Sequence, residues 1–356
     1  MSKYEKLKVK YDNLIRETLD SNKRILIESF VDYYGEEYRN IIEKRYNEII
    51  FIYYVDWETI DLVVENFIPK VENKDKYADF INLSNSRKTP KINFEGIFKA
   101  INKKCKLPNN LIGTTNPSIL NNIYINNYLF KKLKSPCPSC KSWVSIGHTN
   151  RIISFQILSL SESTIIHEIN HAITMDIMAL ITEENRPMGA IHKSGLSIEI
   201  SHKNNIAKIT EELVNEKAGR EITKIFKQRG GDLSSFCFNI SLSYVYESNL
   251  YLVDEFYDKF KKYIKIARIS DNKNALVERI GKSNYENYLS LVNYFYTEDI
   301  TTIDKNKEEN EKRIKIIIDE MRGVEKISHD LSQQELNDTY KYLESKGFKT
   351  KILKKY

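Results

Sequence analysis

The 356-residue sequence is 41% hydrophobic and 29% charged, an ordinary soluble balance with enough apolar residues for a sizeable core. The formal net charge of +6 is mild for this length, and acidic and basic residues alternate, so nothing marks a nucleic-acid binder. There is no run of about 18 apolar residues, which argues against a membrane span, and four cysteines in so long a chain do not describe a disulfide scaffold.

The first residues, Met1 to Leu14, are charged throughout and lack the apolar centre of a signal peptide, so a cytoplasmic location is the expectation. Export by a route that leaves no N-terminal signal stays open. With only 12 Gly and 7 Pro, the chain favours long helices over a sandwich or barrel. Residues 1 to about 80 read as helices: Ile15, Leu19, Ile25, Ile27, Phe30, Tyr33 and Tyr34 recur at helical spacing, and Ile41–Val55 continues the pattern with many tyrosines. Residues 82–120 are loop-rich, followed by a helix-like stretch at 119–133. Two prolines keep Ser135–Cys140 out of any helix. Cys137 and Cys140 form a Cys-x-x-Cys pair, half of a structural zinc site, with Cys105, Cys237 and His148 as the partners it would need. A redox role lacks its usual βαβ context.

From Arg151 the character changes. Arg151–Leu158 is β-branched and aromatic and reads as a strand. Ser161 and Glu162 then supply an N-cap and an acidic first turn for a helix from Glu162 to about Ile181. Residues 185–203 read as a loop or hairpin, and a further helix runs from Ile206 to Lys227, ending at Gly230 and Gly231. The chain from Leu242 onward reads as helical, with a charged linker near 304–312 and a solvated basic tail at 349–355.

The chemistry lies in His167-Glu168-Ile169-Asn170-His171. Residues four apart share one helix face, so His167 and His171 project together and can bind one zinc ion. Glu168 lies about 100° further round the helix, placed to accept a proton from a zinc-bound water. Ile165, Ile169, Ala172, Ile173 and Leu180 fall on the opposite side and can pack on a core. A catalytic zinc site needs a third protein ligand. The next helix offers Glu211, Glu212 and Glu216, of which Glu212 and Glu216 share a face. One of that pair can ligate the ion while the other accepts the second N–H of a ligand histidine.

These residues resemble the zincin metallopeptidases, and among them the gluzincins, over about residues 150–230. In that branch a His-Glu-x-x-His helix is followed by a helix with a signature of the form Leu-Asn-Glu-Gly-[Ile/Leu]-[Thr/Asn]-Glu. Here the stretch is Thr210-Glu211-Glu212-Leu213-Val214-Asn215-Glu216. The resemblance puts Glu212 on the ligand position and Glu216 on the supporting acid. Glu211 replaces the usual Asn and Leu213 the usual Gly, so Glu211 and Glu216 stay competitors for the ligand role. The resemblance also implies that the strand before the active-site helix is the sheet edge that aligns an extended substrate, which is where Arg151–Leu158 falls. Gluzincins often stabilise the oxyanion with a His or Tyr beyond the third ligand. Tyr244 and Tyr246, or His192 and His202 between the two motifs, are the candidates.

The expected fold is helix-dominated α+β. A zincin-like core at 90–270 has a small sheet on the His167 helix, with a helical N-terminal region at 1–85 and a helical extension at 271–356. The expected activity is hydrolysis of peptide bonds in a peptide or protein substrate, with Zn2+ as cofactor and neither nucleic acid nor membrane as partner. Two alternatives accompany it. One is an interaction protein that retains the metal site without catalysis; the other is a metal hydrolase of a small non-peptide substrate.

Overall fold

Ser2 and Glu5 open the first helix with reciprocal bonds: the Glu5 N–H donates to Ser2 Oγ at 3.2 Å, and the Ser2 N–H to the Glu5 carboxylate at 2.6 Å. In the computed structural model, helix α1 runs over Lys3–Tyr34. The structure describes residues 1–54, 57–66, 68–70, 74–87, 142–146, 151–156, 158, 161–183, 186–200, 206–237, 249–270 and 274–301, with 308, 311 and 312. The remaining elements are α2 (Arg39–Asn47), β1 (Ile49–Tyr54), α3 (Trp57–Asn66), α4 (Ala78–Asn85), β2 (Ser142–Ile146) and β3 (Arg151–Gln156). They continue with α5 (Glu162–Thr174), β4 (Met175–Glu183), β5 (Arg186–Ser194), β6 (Ser197–Ile200) and α6 (Ile206–Gln228). Helices α7 (Asp254–Ile269), α8 (Asn274–Ile280) and α9 (Lys282–Thr301) complete the order. This is a helix-dominated α+β chain. No helix among the described residues is long and apolar enough to cross a membrane.

The chain divides into two compact units, Met1–Ala172 with Gly219–Val245, and Ile173–Ala218 with Tyr246–Tyr356. In the first, α1 buries Tyr11, Ile15, Leu19, Leu26, Phe30 and Tyr34 at helical spacing. Its sheet has strand order β1-β3-β2, with β1 parallel and β2 antiparallel to β3. Two expectations are corrected here. Ile49–Tyr54 is a strand rather than helix: its β-branched and aromatic side chains suit a pleated surface, and Phe51 and Tyr53 stack on Phe155 with centroids 6.0 and 6.1 Å apart. Strand β3 is central rather than an edge, because β1 and β2 take both of its hydrogen-bonding sides.

The second unit holds the antiparallel sheet β4-β5-β6. The helix expected to reach Ile181 stops at Thr174, and Met175–Glu183 continues as β4, paired with β5 from Met175↔Ser194 onward. Leu180 therefore lies on a strand, not on the apolar face of the histidine helix. Pairing with a partner strand outweighs local helical periodicity in this short apolar run. Residues 186–200 form the expected hairpin, closed at Gly195, whose φ of 55° is left-handed and free of strain only for glycine. Helix α7 buries Phe256, Tyr257, Phe260, Ile264 and Ala267. Phe256 stacks on Tyr288 of α9 at 4.2 Å between centroids, and the Tyr288 hydroxyl donates to the Leu252 carbonyl at 2.9 Å.

Candidate metal centre

Helix α5 starts where Ser161 caps it: the Thr164 N–H donates to Ser161 Oγ at 3.1 Å. Glu162 in the first turn takes the Lys227 ammonium at 2.5 Å and the Leu233 N–H at 2.8 Å, anchoring that end beside the residues that follow α6. Ile165, Ile166, Ile169, Ala172 and Ile173 are wholly buried. At the other end Arg151 Nη1 donates to the Ala172 carbonyl at 2.9 Å, satisfying one of the acceptors a helix leaves unpaired in its last turn. The Arg151 guanidinium also pairs with Glu48 at 3.3 Å. Inside the motif, Asn170 is fully buried and its Oδ1 accepts the Tyr34 hydroxyl at 2.7 Å.

His167 and His171 lie one turn apart with ring centroids separated by 4.8 Å and planes inclined by 75°. Gly219 of α6 sits against the backbone of His167; a Cβ on it would lie 3.4 Å from the His167 Cα. Any larger side chain there would push α5 and α6 apart.

Glu212 on α6 completes the arrangement. His167, His171 and Glu212 each offer one ligand atom, and these atoms all lie within 4.8 Å of one another. Ligands at about 2.1 Å around a tetrahedral ion stand roughly 3.4 Å apart, so modest side-chain adjustment closes the group on one ion. Two imidazole nitrogens and one carboxylate oxygen fit a divalent transition metal better than the all-oxygen shells of calcium or magnesium. His167, Glu168 and His171 are 5, 9 and 6% exposed, whereas Glu212 is partly exposed.

Of the competing acids, Glu211 is engaged elsewhere. Its carboxylate takes the Arg268 guanidinium, with Nη2 at 2.7 Å and Nε at 3.1 Å from Oε1, and the Leu196 N–H at 2.7 Å on Oε2. Glu216, one turn after Glu212, is partly exposed. His192 lies on β5. Tyr244, Tyr246 and His202 lie outside the described residues, as do Cys105, Cys137, Cys140 and His148. Cys237 is buried.

Three features escaped the sequence reading. Tyr34 and Arg268 have no local signal, since each acts on a helix far along the chain. Tyr296 on α9 is the third: burial first, and then the negative charge of Glu212, hold its phenol above the ordinary tyrosine range. Comparison of the chain with protein-family models, with curated proteins and with solved structures returned no match.

Proposed function

We propose that the chain is a zinc-dependent metallopeptidase of gluzincin type, with His167, His171 and Glu212 as ligands and Glu168 as general base. The observation that carries this reading is the convergence of two imidazoles and one carboxylate within 4.8 Å, on the helices where the paired motifs lie. Three protein ligands leave a fourth position for solvent, the pattern of a catalytic rather than a structural zinc site. An ion bound there would supply Lewis acidity toward a water and the scissile carbonyl.

The protein's own groups do the rest. Glu168 follows His167 directly, about 100° round α5; it takes the proton from the attacking water and returns it to the nitrogen of the leaving amine. The resemblance gives Glu216 the supporting role, that of the acid that accepts the second N–H of a ligand imidazole and fixes its tautomer. Because β3 is central among the described strands, an extended peptide that joins this sheet adds to one of the strands beside it, β1 or β2.

The burial of Glu168, at 9% exposure, favours a second reading: a narrow pocket for a small non-peptide substrate, or a metal site retained without catalysis. One comparison separates them. Wild type and Glu168→Gln, at equal zinc content, are incubated with an unbiased peptide library. The proposal expects cleavage by wild type and a loss of about 100-fold or more in the variant. Equal cleavage by both removes Glu168 from the mechanism. No cleavage by zinc-loaded wild type favours the second reading.

A further inference from the structure

Arg268 is wholly buried, and a buried guanidinium is tolerated only where its charge and donors are matched. Helix α6 supplies a partner of each kind. Glu211 takes Nε and Nη2, and the Asn215 side-chain oxygen takes Nη2 again. Glu211 and Asn215 are four apart and therefore share a face of α6. Glu212 and Glu216 are the next residue after each, about 100° round the same helix. Fixing the 211/215 face thus fixes the direction in which Glu212 leaves the helix.

The anchor is itself held. Lys193 of β5 is buried and donates to the carbonyls of Arg268 and Ser270 at 3.0 and 2.5 Å, placing a cation at the C-terminal end of α7. The β5–β6 turn closes the other side. The Leu196 N–H bonds Glu211 Oε2, and a Cβ on Gly195 would collide with the Glu211 carboxylate. Helix α7 and the hairpin therefore grip one carboxylate, that of the residue directly before the third ligand.

We infer that Arg268 is a positioning residue for the metal centre: through Glu211 and Asn215 it sets the rotation of α6 that aims Glu212 at the ion. The inference rests on the metal-site reading above. It assigns Glu211 a role distinct from ligation and makes metal affinity depend on a residue of α7.

The test measures metal binding rather than activity. Zinc affinity is determined by chelator competition, and the d–d absorption of the cobalt-substituted chain reports coordination geometry. The variants are Arg268→Lys, which keeps the charge but not the fork, and Glu211→Gln, which keeps the shape but not the charge. A third, Glu211→Met with Arg268→Leu, replaces the whole buried pair by apolar groups, a change that buried ion pairs commonly tolerate without loss of fold. Each is first checked for a cooperative melt. The inference expects folded variants to bind zinc about tenfold or more weakly, on the scale of outer-shell effects at metal sites, with an altered cobalt spectrum. Folded variants with wild-type affinity and an unchanged spectrum make the pair purely structural and overturn the inference alone. If the wild-type chain binds neither zinc nor cobalt, the metal-site reading falls and takes the inference with it.

Discussion

The Tyr34 hydroxyl donates to the Asn170 side-chain oxygen at 2.7 Å in the buried interior of the first unit, joining the last turn of α1 to the centre of the histidine motif. Asn170 sits between Glu168 and His171, so its anchor fixes the rotation of the turn that presents both. Removing one partner of a buried hydrogen bond costs about 1–3 kcal/mol, because the other loses its compensation. Tyr34→Phe is therefore expected to lower stability by that amount in urea denaturation. A double-mutant cycle with Asn170→Ala should return a coupling of roughly 1 kcal/mol or more. Strict additivity would show that the bond contributes nothing.

Gly219 gives a second expectation. Glycine in a helix interior costs about 0.5–1 kcal/mol relative to alanine. Its presence in α6 fits the close approach to the His167 backbone, at 3.4 Å for an added Cβ. In Gly219→Ala the gain in helix propensity and the tight contact largely offset each other, so stability should change little. Gly219→Leu should destabilise by about 1–3 kcal/mol through overpacking and weaken zinc binding, because it displaces the backbone that carries a ligand. Unchanged stability and zinc affinity in the leucine variant would show that the two helices do not meet there.

The surface of the first unit gives a pH prediction. Arg229 grips Asp32 through two bonds of 2.6 and 2.7 Å, and Arg39 grips Glu28 at 2.7 and 3.1 Å. The hydrogen bond from Arg229 is the main cause holding Asp32 below its usual range, and that from Arg39 is the main cause for Glu28. A depressed folded value stabilises above the unfolded value, about 3.9 for Asp and 4.3 for Glu. That contribution is lost as pH falls through the folded value. Asp32→Asn should thus cost less than about 1 kcal/mol near neutrality, as for other solvent-screened pairs, and nothing once the wild-type carboxylate is itself protonated. Paired melts from neutral to strongly acidic buffer check this. An offset that persists unchanged into acid contradicts it.

Cys237 supplies a chemical probe of the same unit. Burial first, and then the nearby Glu162 carboxylate, push its thiol up to about 12. The thiolate is the reactive form, so iodoacetamide at mildly alkaline pH should leave Cys237 unlabelled in the native chain and label it after denaturation, read by peptide mass mapping. Rapid native labelling would mean that the segment after α6 is not packed as described.

How much of this was legible in the sequence follows the range of the interactions. The start of α5 was readable because its cap is local: Ser161 bonds Thr164 three residues on. Helix α6 was readable along nearly its whole length for the same reason of short-range periodicity. The end of α5 was not, since Met175–Glu183 is apolar enough for either state and only its pairing with β5 makes it a strand. Strand β1 was hidden in the same way, and its partner β3 lies about a hundred residues further on. The edge position expected of β3 failed because strand order depends on two remote neighbours. At the site, the two histidines and Glu168 could be read from one helical turn. Periodicity alone did not separate Glu211, Glu212 and Glu216; the resemblance put Glu212 first, and what sets Glu211 apart is an arginine on α7.

The account rests on three side chains meeting around one ion, and zinc stoichiometry tests that most directly. The chain, purified without chelator and dialysed against buffered zinc, should hold one tightly bound zinc that His167→Ala, His171→Ala and Glu212→Ala each lose. Glu168→Gln should keep it. Equal zinc retention by wild type and the Glu212→Ala variant would contradict the three-residue centre, and a wild-type chain that takes up no zinc would contradict the assignment altogether.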